Sequence, residues 1–230
     1  MKTIQCRFCH LFLLLLLIIT PLQSFAENDA DEGQDLDQKV RAFLNSNRYD
    51  WRDLNIPERD GQFLYDFIIK HNYTRALEIG TSTGHSATWI AWALSKTGGK
   101  LITIEIDERL HRQAVANFEE AGLSDYIDAR LANAHDLVKE LEGPFDFVFC
   151  DADKDWYKQY FIDVAPNMTV GGCFTAHNIT VNRGGGGRRR SGGSMGGIQE
   201  FVDYIMERSD FETTIESTNT SGISVSYKKE

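Results

Sequence analysis

The chain has 230 residues and a formal net charge of −10, a length that suits one α/β domain with a core of its own. Its apolar fraction of 42% and charged fraction of 25% are those of an ordinary globular protein. The acidic balance argues against a general surface for nucleic acid or for an anionic membrane, so no nucleic-acid partner is expected.

The N-terminus has the layout of a secretory signal. Lys2 and Arg7 precede an unbroken apolar run of nine residues, Leu11 to Ile19, and a small-x-small pattern ends at Ala26. This layout predicts a signal peptide over residues 1–26 and a secreted or periplasmic protein. The apolar run is shorter than an ordinary membrane span, so no stable membrane insertion is expected once the signal is cleaved. An uncleaved signal anchor that tethers the chain to a membrane is the alternative.

Residues 27–35 are acidic and polar, which predicts a disordered segment, and a single domain is predicted over residues 36–230. Within it, helical and strand patterns alternate. Helices are predicted at 36–44, 57–70, 86–94, 108–121, 136–141, 156–164 and 198–208, and strands at 75–79, 101–106, 127–131, 145–150, 172–176, 211–216 and 222–227. The alternation predicts a mostly parallel sheet of seven strands with helices on both faces. The last two strands can pair as a hairpin, which gives an antiparallel edge.

Two features leave alternatives open. Residues 183–197 read RGGGGRRRSGGSMGG, which predicts a loop that is either a disordered surface segment or a lid over the site. Cys150 and Cys173 lie in strand-like apolar runs. We expect two buried free thiols, with one disulfide as the alternative in an oxidising compartment.

The ends of the first two predicted strands resemble ligand-binding turns. The first ends in LEIGTSTGHS, residues 77–86, where glycines allow close backbone approach and the turn leads into a helix N-terminus. The spacing is neither G-x-G-x-x-G nor a P-loop, and a plain strand–helix connection is the alternative. The second strand ends in TIEID, which puts Glu105 where such folds place an acid that accepts hydrogen bonds from a ribose diol.

Polar residues also follow the later strands. Asn133, Ala134 and His135 follow the third strand and would lie near a base ring, although a structural role is the alternative for His135. Asp151 and Lys154 follow the fourth strand, and the pair His177-Asn178 ends the fifth. Because the C-terminal ends of neighbouring parallel strands meet, Asp151, His177 and Asn178 should converge and could hold a divalent cation, and Lys154 should point at the same place. Helix capping is the alternative for the acids after Cys150, and the main reading for Asp155.

Five stretches, in this order and spacing, resemble one known family: RDGQFLYDFII, LEIGTSTGHS, TIEIDER, FDFVFCDADKDWY and GGCFTAHN. The family is that of the cation-dependent class I S-adenosylmethionine O-methyltransferases, which includes the caffeoyl-CoA and catechol enzymes. The resemblance covers about residues 55–227. It implies a Rossmann-like class I methyltransferase fold, S-adenosylmethionine and a divalent cation (Mg²⁺ or Mn²⁺) as cofactors, a hydroxylated small-molecule acceptor such as a catechol, and a homodimer as one option.

The resemblance also implies roles for individual residues. The implied cofactor-binding residues are Glu78, Gly80, Thr81, Ser86, Glu105, Asn133, Ala134 and Asp151. The implied metal ligands lie at Asp151, His177 and Asn178. Lys154 is implied as the general base beside Asp151, and Asn182 as a contact to the substrate.

Position 177 departs from the family, which has Asp-Asn where this chain has His177-Asn178. Mg²⁺ prefers oxygen ligands, and imidazole shifts the preference toward Mn, Fe, Co or Zn. Three readings follow: the metal differs, His177 works as a base, or the metal site is lost.

Two other functions compete with methyl transfer. A nicotinamide dehydrogenase is disfavoured by the glycine spacing. A secreted member of the fold that binds an adenosyl ligand without catalysis, or without metal, is favoured by the signal peptide, because S-adenosylmethionine is made in the cytosol. The acids Glu78, Glu105 and Asp151, together with Lys154, favour an active enzyme, so an S-adenosylmethionine-dependent O-methyltransferase is the main expectation.

Overall fold

The structure is a computed structural model, and it describes residues 35–51, 54–179, 194–216 and 222–230. The predicted signal peptide, residues 27–34, Asn182 and residues 183–193 lie outside the described residues. Residue 35 is already helical, so the predicted disordered segment 27–35 is at least one residue too long. None of the helices in these ranges combines the length and the apolar character needed to cross a membrane.

Strands and helices alternate as predicted. The helices are α1 (residues 35–46), α2 (Glu58–His71), α3 (His85–Thr97), α4 (Glu108–Ala121), α5 (Ala134–Glu140), α6 (Tyr157–Val164) and α7 (Ser194–Met206). The strands are β1 (Arg75–Ile79), β2 (Lys100–Glu105), β3 (Ile127–Leu131), β4 (Phe145–Cys150), β5 (Met168–His177), β6 (Phe211–Glu216) and β7 (Ile223–Lys228). A short 3-10 helix at Lys154–Trp156 connects β4 to α6.

The seven strands form one sheet in the order β3-β2-β1-β4-β5-β7-β6. Strands β1 to β5 are parallel, and β7 runs antiparallel to both β5 and β6. The mostly parallel sheet and the C-terminal hairpin are therefore confirmed, although the antiparallel strand β7 lies inside and β6 takes the edge. The strand order reverses between β1 and β4, and ligands of open α/β sheets bind beyond the C-terminal strand ends at such a point.

The sheet separates two helical layers, because successive side chains of a strand point to opposite faces. On β4, Val148 and Cys150 pack with side chains of α5, α6 and α7. Phe147 and Phe149 pack with side chains of α2, α3 and α4. The same alternation directs His177, which lies four residues after Cys173 on β5, toward the layer that contains α2.

Two predicted boundaries moved by four residues, more than any other. Helix α7 begins at Ser194, so the last four residues of the predicted loop 183–197 are helical. Each glycine in a helix costs about 1 kcal/mol relative to alanine, but here Gly197 allows α7 to pack directly on the Lys154–Trp156 turn. A Cβ at Gly197 would lie 2.5 Å from Asp155 Cα. Strand β5 begins at Met168 rather than at 172, since the pair Gly171-Gly172 lies within the strand.

Both predicted strand cysteines are free and buried, as expected. They lie on neighbouring strands, but the register pairs Cys150 with Ala176 and Cys173 with Phe147. The two thiols are therefore not cross-strand partners. Burial raises the pKa of each thiol, which makes both unreactive in the folded chain.

Candidate active site

A cavity of about 770 Å³ opens beyond the C-terminal ends of β1, β2, β3, β4 and β5. Its size falls within the range of about 300–1,000 Å³ that is usual for small-molecule sites. Most of the predicted site residues line it: Gly80, Glu105, Asn133, Ala134, Asp151, Lys154, His177 and Asn178. The convergence that was predicted from the strand ends is therefore present in the fold.

Three predicted cofactor residues, Glu78, Thr81 and Ser86, are buried behind this lining rather than part of it. Thr103 joins two of them, because its hydroxyl contacts Thr81 Oγ1 and donates to Glu78 Oε2. Burial raises the pKa of Glu78 to about 8, partly offset by hydrogen bonds from Ser86 and Thr103. Glu78 Oε1 is buried without a hydrogen-bond partner in the described part of the chain.

Gly80 is required by the packing of two strand ends. It has a φ of +98°, and a Cβ there would lie 2.6 Å from the carbonyl oxygen of Asp151. The backbone N–H of Asp151 donates to Ile79 O at 2.9 Å. Only glycine suits this conformation and approach, so the glycine of the first turn fixes Asp151 beside β1.

Glu105 is held at the cavity wall by backbone donors. Its Oε2 accepts from the N–H of Ser82 at 2.7 Å, and its Oε1 accepts from those of Ile106 and Asp107 at 3.0 and 2.9 Å. A carboxylate has about four acceptor positions, which leaves room for a hydroxyl of a ligand. Ile106, 68% exposed, lies beside it in the same cavity and offers an apolar surface to a flat ring.

Residues at the start of α5 form the opposite wall. The Asn133 side chain caps this helix by accepting from the N–H of His135 at 3.0 Å. The His135 ring stacks on Trp156 with centroids 3.6 Å apart and an angle of 11°. His135 therefore both lines the cavity and braces the Lys154–Trp156 turn. The cap of that turn is Asp153, which accepts from the N–H of Asp155 at 3.1 Å, so the capping role predicted for Asp155 belongs to Asp153.

Asp151, Lys154 and Tyr157 form one hydrogen-bonded group. Lys154 Nζ donates to Asp151 Oδ1, and it lies 2.7 Å from the hydroxyl of Tyr157. That hydroxyl also lies 3.3 Å from Asp151 Oδ1 and 3.2 Å from the carbonyl oxygen of His177. The Tyr157 ring is fully buried, so the lysine is fixed in place by a rigid neighbour.

His177 lies between two carboxylates. Its Nδ1 is 3.0 Å from Asp151 Oδ2, and its Nε2 is 2.7 Å from Oδ2 of Asp60, which is fully buried on α2. Burial alone would lower the pKa of His177, but these two hydrogen bonds outweigh burial and raise the pKa to about 9. Burial alone would raise the pKa of Asp151, but His177 and Lys154 lower it. The raised pKa of His177 and the lowered pKa of Asp151 both favour the ionised forms of these two side chains at neutral pH.

The predicted ligand set does not fit a divalent cation in this arrangement. Both carboxylate oxygens of Asp151 and both ring nitrogens of His177 are already hydrogen-bonded. Across the described ranges, no group of three or more His, Cys, Asp and Glu side chains is arranged to hold a metal ion. Asn178, at φ +62°, lines the cavity, but one amide oxygen is a weak basis for a cation site.

Sequence reasoning missed two members of the site, Asp60 and Tyr157. A signal for Asp60 was available, because it falls in one helical row with Leu64 and Ile68, both fully buried. An acid on the apolar face of an amphipathic helix needs a partner. Tyr157 gave a weaker signal, its i+3 spacing from Lys154, and that spacing is common on any helix.

Comparison with known proteins decides the family. Residues 26–184 match the family model described as O-methyltransferase. The chain belongs to the O-methyltransferase family. Among curated relatives, the catechol O-methyltransferase of Niastella koreensis is 38% identical over 112 residues, 47% of this chain and 50% of the relative. Caffeoyl-CoA O-methyltransferase 1 of Eucalyptus globulus is 31% identical over 140 residues, 59% of this chain and 56% of the relative. The chain thus spans about half the length of these relatives.

Solved structures agree on the fold. An O-methyltransferase from Bacillus cereus in complex with SAH superposes with a TM-score of 0.68 at 25% identity, covering 84% of this chain and 91% of that one. TomG from Streptomyces achromogenes, in complex with SAM, gives a TM-score of 0.68 at 24% identity, with 84% and 90% covered. The predicted Rossmann-like methyltransferase fold is confirmed.

Proposed function

We propose that this chain is an S-adenosylmethionine-dependent O-methyltransferase that acts on a hydroxylated small molecule, of which catechols are one class. The observation that carries the proposal is the single cavity at the sheet reversal, in which the Gly80 turn, Glu105 and Asp151 meet. Family membership supports the reaction, and the names of the curated relatives support the acceptor class.

The cavity offers separate positions for the parts of the donor. Glu105, held by three backbone N–H groups, would accept from a ribose diol. Ile106 and Ala134 present apolar surface for the adenine, and Asn133 lies beside them. The unsatisfied Oε1 of Glu78 would suit a polar group of the methionine part. The bound donor supplies a methyl group on a positively charged sulfur.

The acceptor would lie near Asp151 and Lys154. In the transfer, an oxygen lone pair of the acceptor forms the new C–O bond, the S–CH₃ electrons remain on sulfur, and the hydroxyl proton leaves for a base. The ammonium of Lys154 stabilises the negative oxygen by its charge. Lys154 can take the proton only when it is neutral, whereas in the structure it donates to Asp151 and Tyr157. Its role as general base stays a prediction.

The second candidate is a secreted protein of this fold that binds an adenosyl ligand without catalysis. The observation that favours it is the predicted signal at residues 1–26, because export separates the chain from the cytosolic pool of S-adenosylmethionine. Secretion and a homodimer both rest on the sequence alone.

Titration calorimetry with S-adenosylmethionine tests the proposal. We expect binding at one site, and we expect Glu105→Ala to weaken it about tenfold to a hundredfold, the loss of a hydrogen bond to a charged group. The matched control is Glu108→Ala, which removes an exposed acid three positions later, outside the cavity. Mass spectrometry then follows methyl transfer to a catechol. A folded protein that binds no S-adenosylmethionine refutes the proposal, and binding without transfer to any hydroxylated acceptor favours the second candidate.

A further inference from the structure

The geometry around His177 suits a ring that carries a proton on both nitrogens. An ionised carboxylate only accepts hydrogen bonds, and the two ring nitrogens of His177 face one carboxylate each, Asp60 at 2.7 Å and Asp151 at 3.0 Å. Each ring nitrogen therefore faces an acidic side chain, and the imidazolium is the form that lets both nitrogens donate. His177 is 3% exposed and Asp60 is fully buried, so water does not compete for these bonds.

The charges of the group balance without any metal. The second oxygen of Asp151 receives the ammonium of Lys154, so the carboxylates of Asp60 and Asp151 face the cations His177 and Lys154. A divalent cation that entered here would have to displace both cations from Asp151. It would also leave the fully buried Asp60 without its partner, which is strongly unfavourable.

We propose that the His177 imidazolium, held by Asp60, occupies the place of a divalent cation, so that methyl transfer by this chain needs no metal. The inference rests on the proposed function for the reaction, but its claim about the site concerns cation binding alone. His177 lines the cavity, where its charge stabilises an acceptor oxygen that is losing its proton. Asp60 touches no ligand and acts as a positioning residue through His177.

Binding of Mn²⁺ to the whole chain, measured by electron paramagnetic resonance with and without S-adenosylmethionine, tests cation exclusion directly. We expect no saturable binding to the wild type and one bound Mn²⁺ in His177→Asp, which supplies an oxygen ligand beside Asp151. His111→Asp, outside the cavity, is the control and should gain nothing. Stoichiometric Mn²⁺ binding to the wild type that is lost in Asp151→Asn overturns the inference. So does a folded His177→Asp variant without Mn²⁺ affinity, because the histidine would then not be what excludes the cation.

The positioning role of Asp60 is tested separately, through the protonation of the His177 ring and through kcat. In Asp60→Asn we expect the ¹⁵N spectrum of the His177 ring to lose one proton, and kcat to fall about tenfold or more, as expected when a hydrogen bond to a charged group is lost. The affinity for S-adenosylmethionine should not change. Asp66→Asn, an exposed acid on the same helix, should change none of these. An unaltered ring spectrum in Asp60→Asn refutes the positioning role, and if that variant does not fold, a singly protonated His177 ring in the wild type refutes it instead.

Chelation completes the test and separates it from the proposed function. Methyl transfer at an unchanged rate in excess chelator supports the inference, and loss of transfer that added Mn²⁺ restores overturns it. Failure to bind S-adenosylmethionine at all would refute the proposed function, while the Mn²⁺ titration would still decide whether the site excludes a cation.

Discussion

Two adjacent glycines at the start of α7 allow a direct test of how this helix supports the site. Gly196 and Gly197 both lie in the first turn of the helix. A Cβ at Gly196 would meet no atom of the described chain within 4 Å. A Cβ at Gly197 would lie 2.5 Å from Asp155 Cα and 2.6 Å from the carbonyl oxygen of Lys154. The alanine variants therefore differ in contact with the Lys154–Trp156 turn and in little else.

The change in stability expected at each position depends on the balance between helix propensity and overpacking. Alanine gains up to about 1 kcal/mol over glycine in a helix, and both variants share this gain. Overpacking costs about 1–3 kcal/mol, and the cost at Gly197 falls at the upper end because the contacts are to backbone, which cannot rotate away. We expect Gly196→Ala to be neutral or stabilising, and Gly197→Ala to be less stable than Gly196→Ala by about 2–3 kcal/mol.

Urea unfolding of both variants measures the difference, and for a chain of this length each kcal/mol corresponds to about 2–4 °C in Tm. Gly197→Ala should also lower methyl transfer, since Lys154 moves with its turn, while binding of S-adenosylmethionine at Glu105 should remain. Equal unfolding midpoints for the two variants would show that α7 does not pack on this turn, and the account of how Lys154 is positioned would then be wrong.

Two further predictions concern the charged group. The pKa of His177 is raised from 6.5 to about 9, so protonation of this ring stabilises the folded chain. The contribution to the free energy of unfolding is on the order of 3 kcal/mol; it is complete below about pH 6.5 and is lost as the pH rises to about 9. We expect the difference in the free energy of unfolding between the wild type and His177→Asn, measured by urea unfolding across this pH range, to shrink by that amount. Glu78, whose pKa is about 8, also lowers the stability as the pH rises, but it does so in both proteins and therefore cancels in the difference. Tyr157→Phe should lower Tm by several degrees, because Lys154 Nζ and the carbonyl oxygen of His177 each lose a buried partner at about 1–3 kcal/mol; an unchanged Tm by calorimetry would mean that this hydroxyl is dispensable.

The sequence predicted those features of the fold and the site that are determined by the pattern within a single strand or helix. Strand-like apolar segments marked all seven strands, and residues at the C-terminal ends of the five parallel strands line the cavity. Glu105 and Gly80 are examples, because a parallel sheet brings any strand end to the same edge whatever the details of packing. The boundaries that moved furthest, at Ser194 and Met168, lie close to glycines, where packing against another segment overrides local preference.

The interaction that defines the site was not predictable in this way. Asp60 and His177 are 117 positions apart, and their contact depends on α2 crossing the end of β5 at one rotation. The residue type at 177 showed that something had changed, and three readings stayed open. The choice among them required the location of Asp60, which no pattern within a single element provides.

Under the proposed cation exclusion, the position of His177 on its strand explains how one residue type would decide whether a cation is bound. Side chains at 173, 175 and 177 share the face of β5 toward α2, so position 177 always lies between the helix that carries Asp60 and the end of β4 that carries Asp151. An acid at 177 would add a third carboxylate to a group in which Lys154 already faces Asp151, and an added cation would offset the excess negative charge. An imidazolium at the same position can donate to both neighbours, and together with the ammonium of Lys154 it balances their two charges from within the chain. The buried Asp60 and the histidine thus depend on each other: without His177 the carboxyl of Asp60 loses its hydrogen-bond partner, and without Asp60 the ring loses the group that favours its second proton.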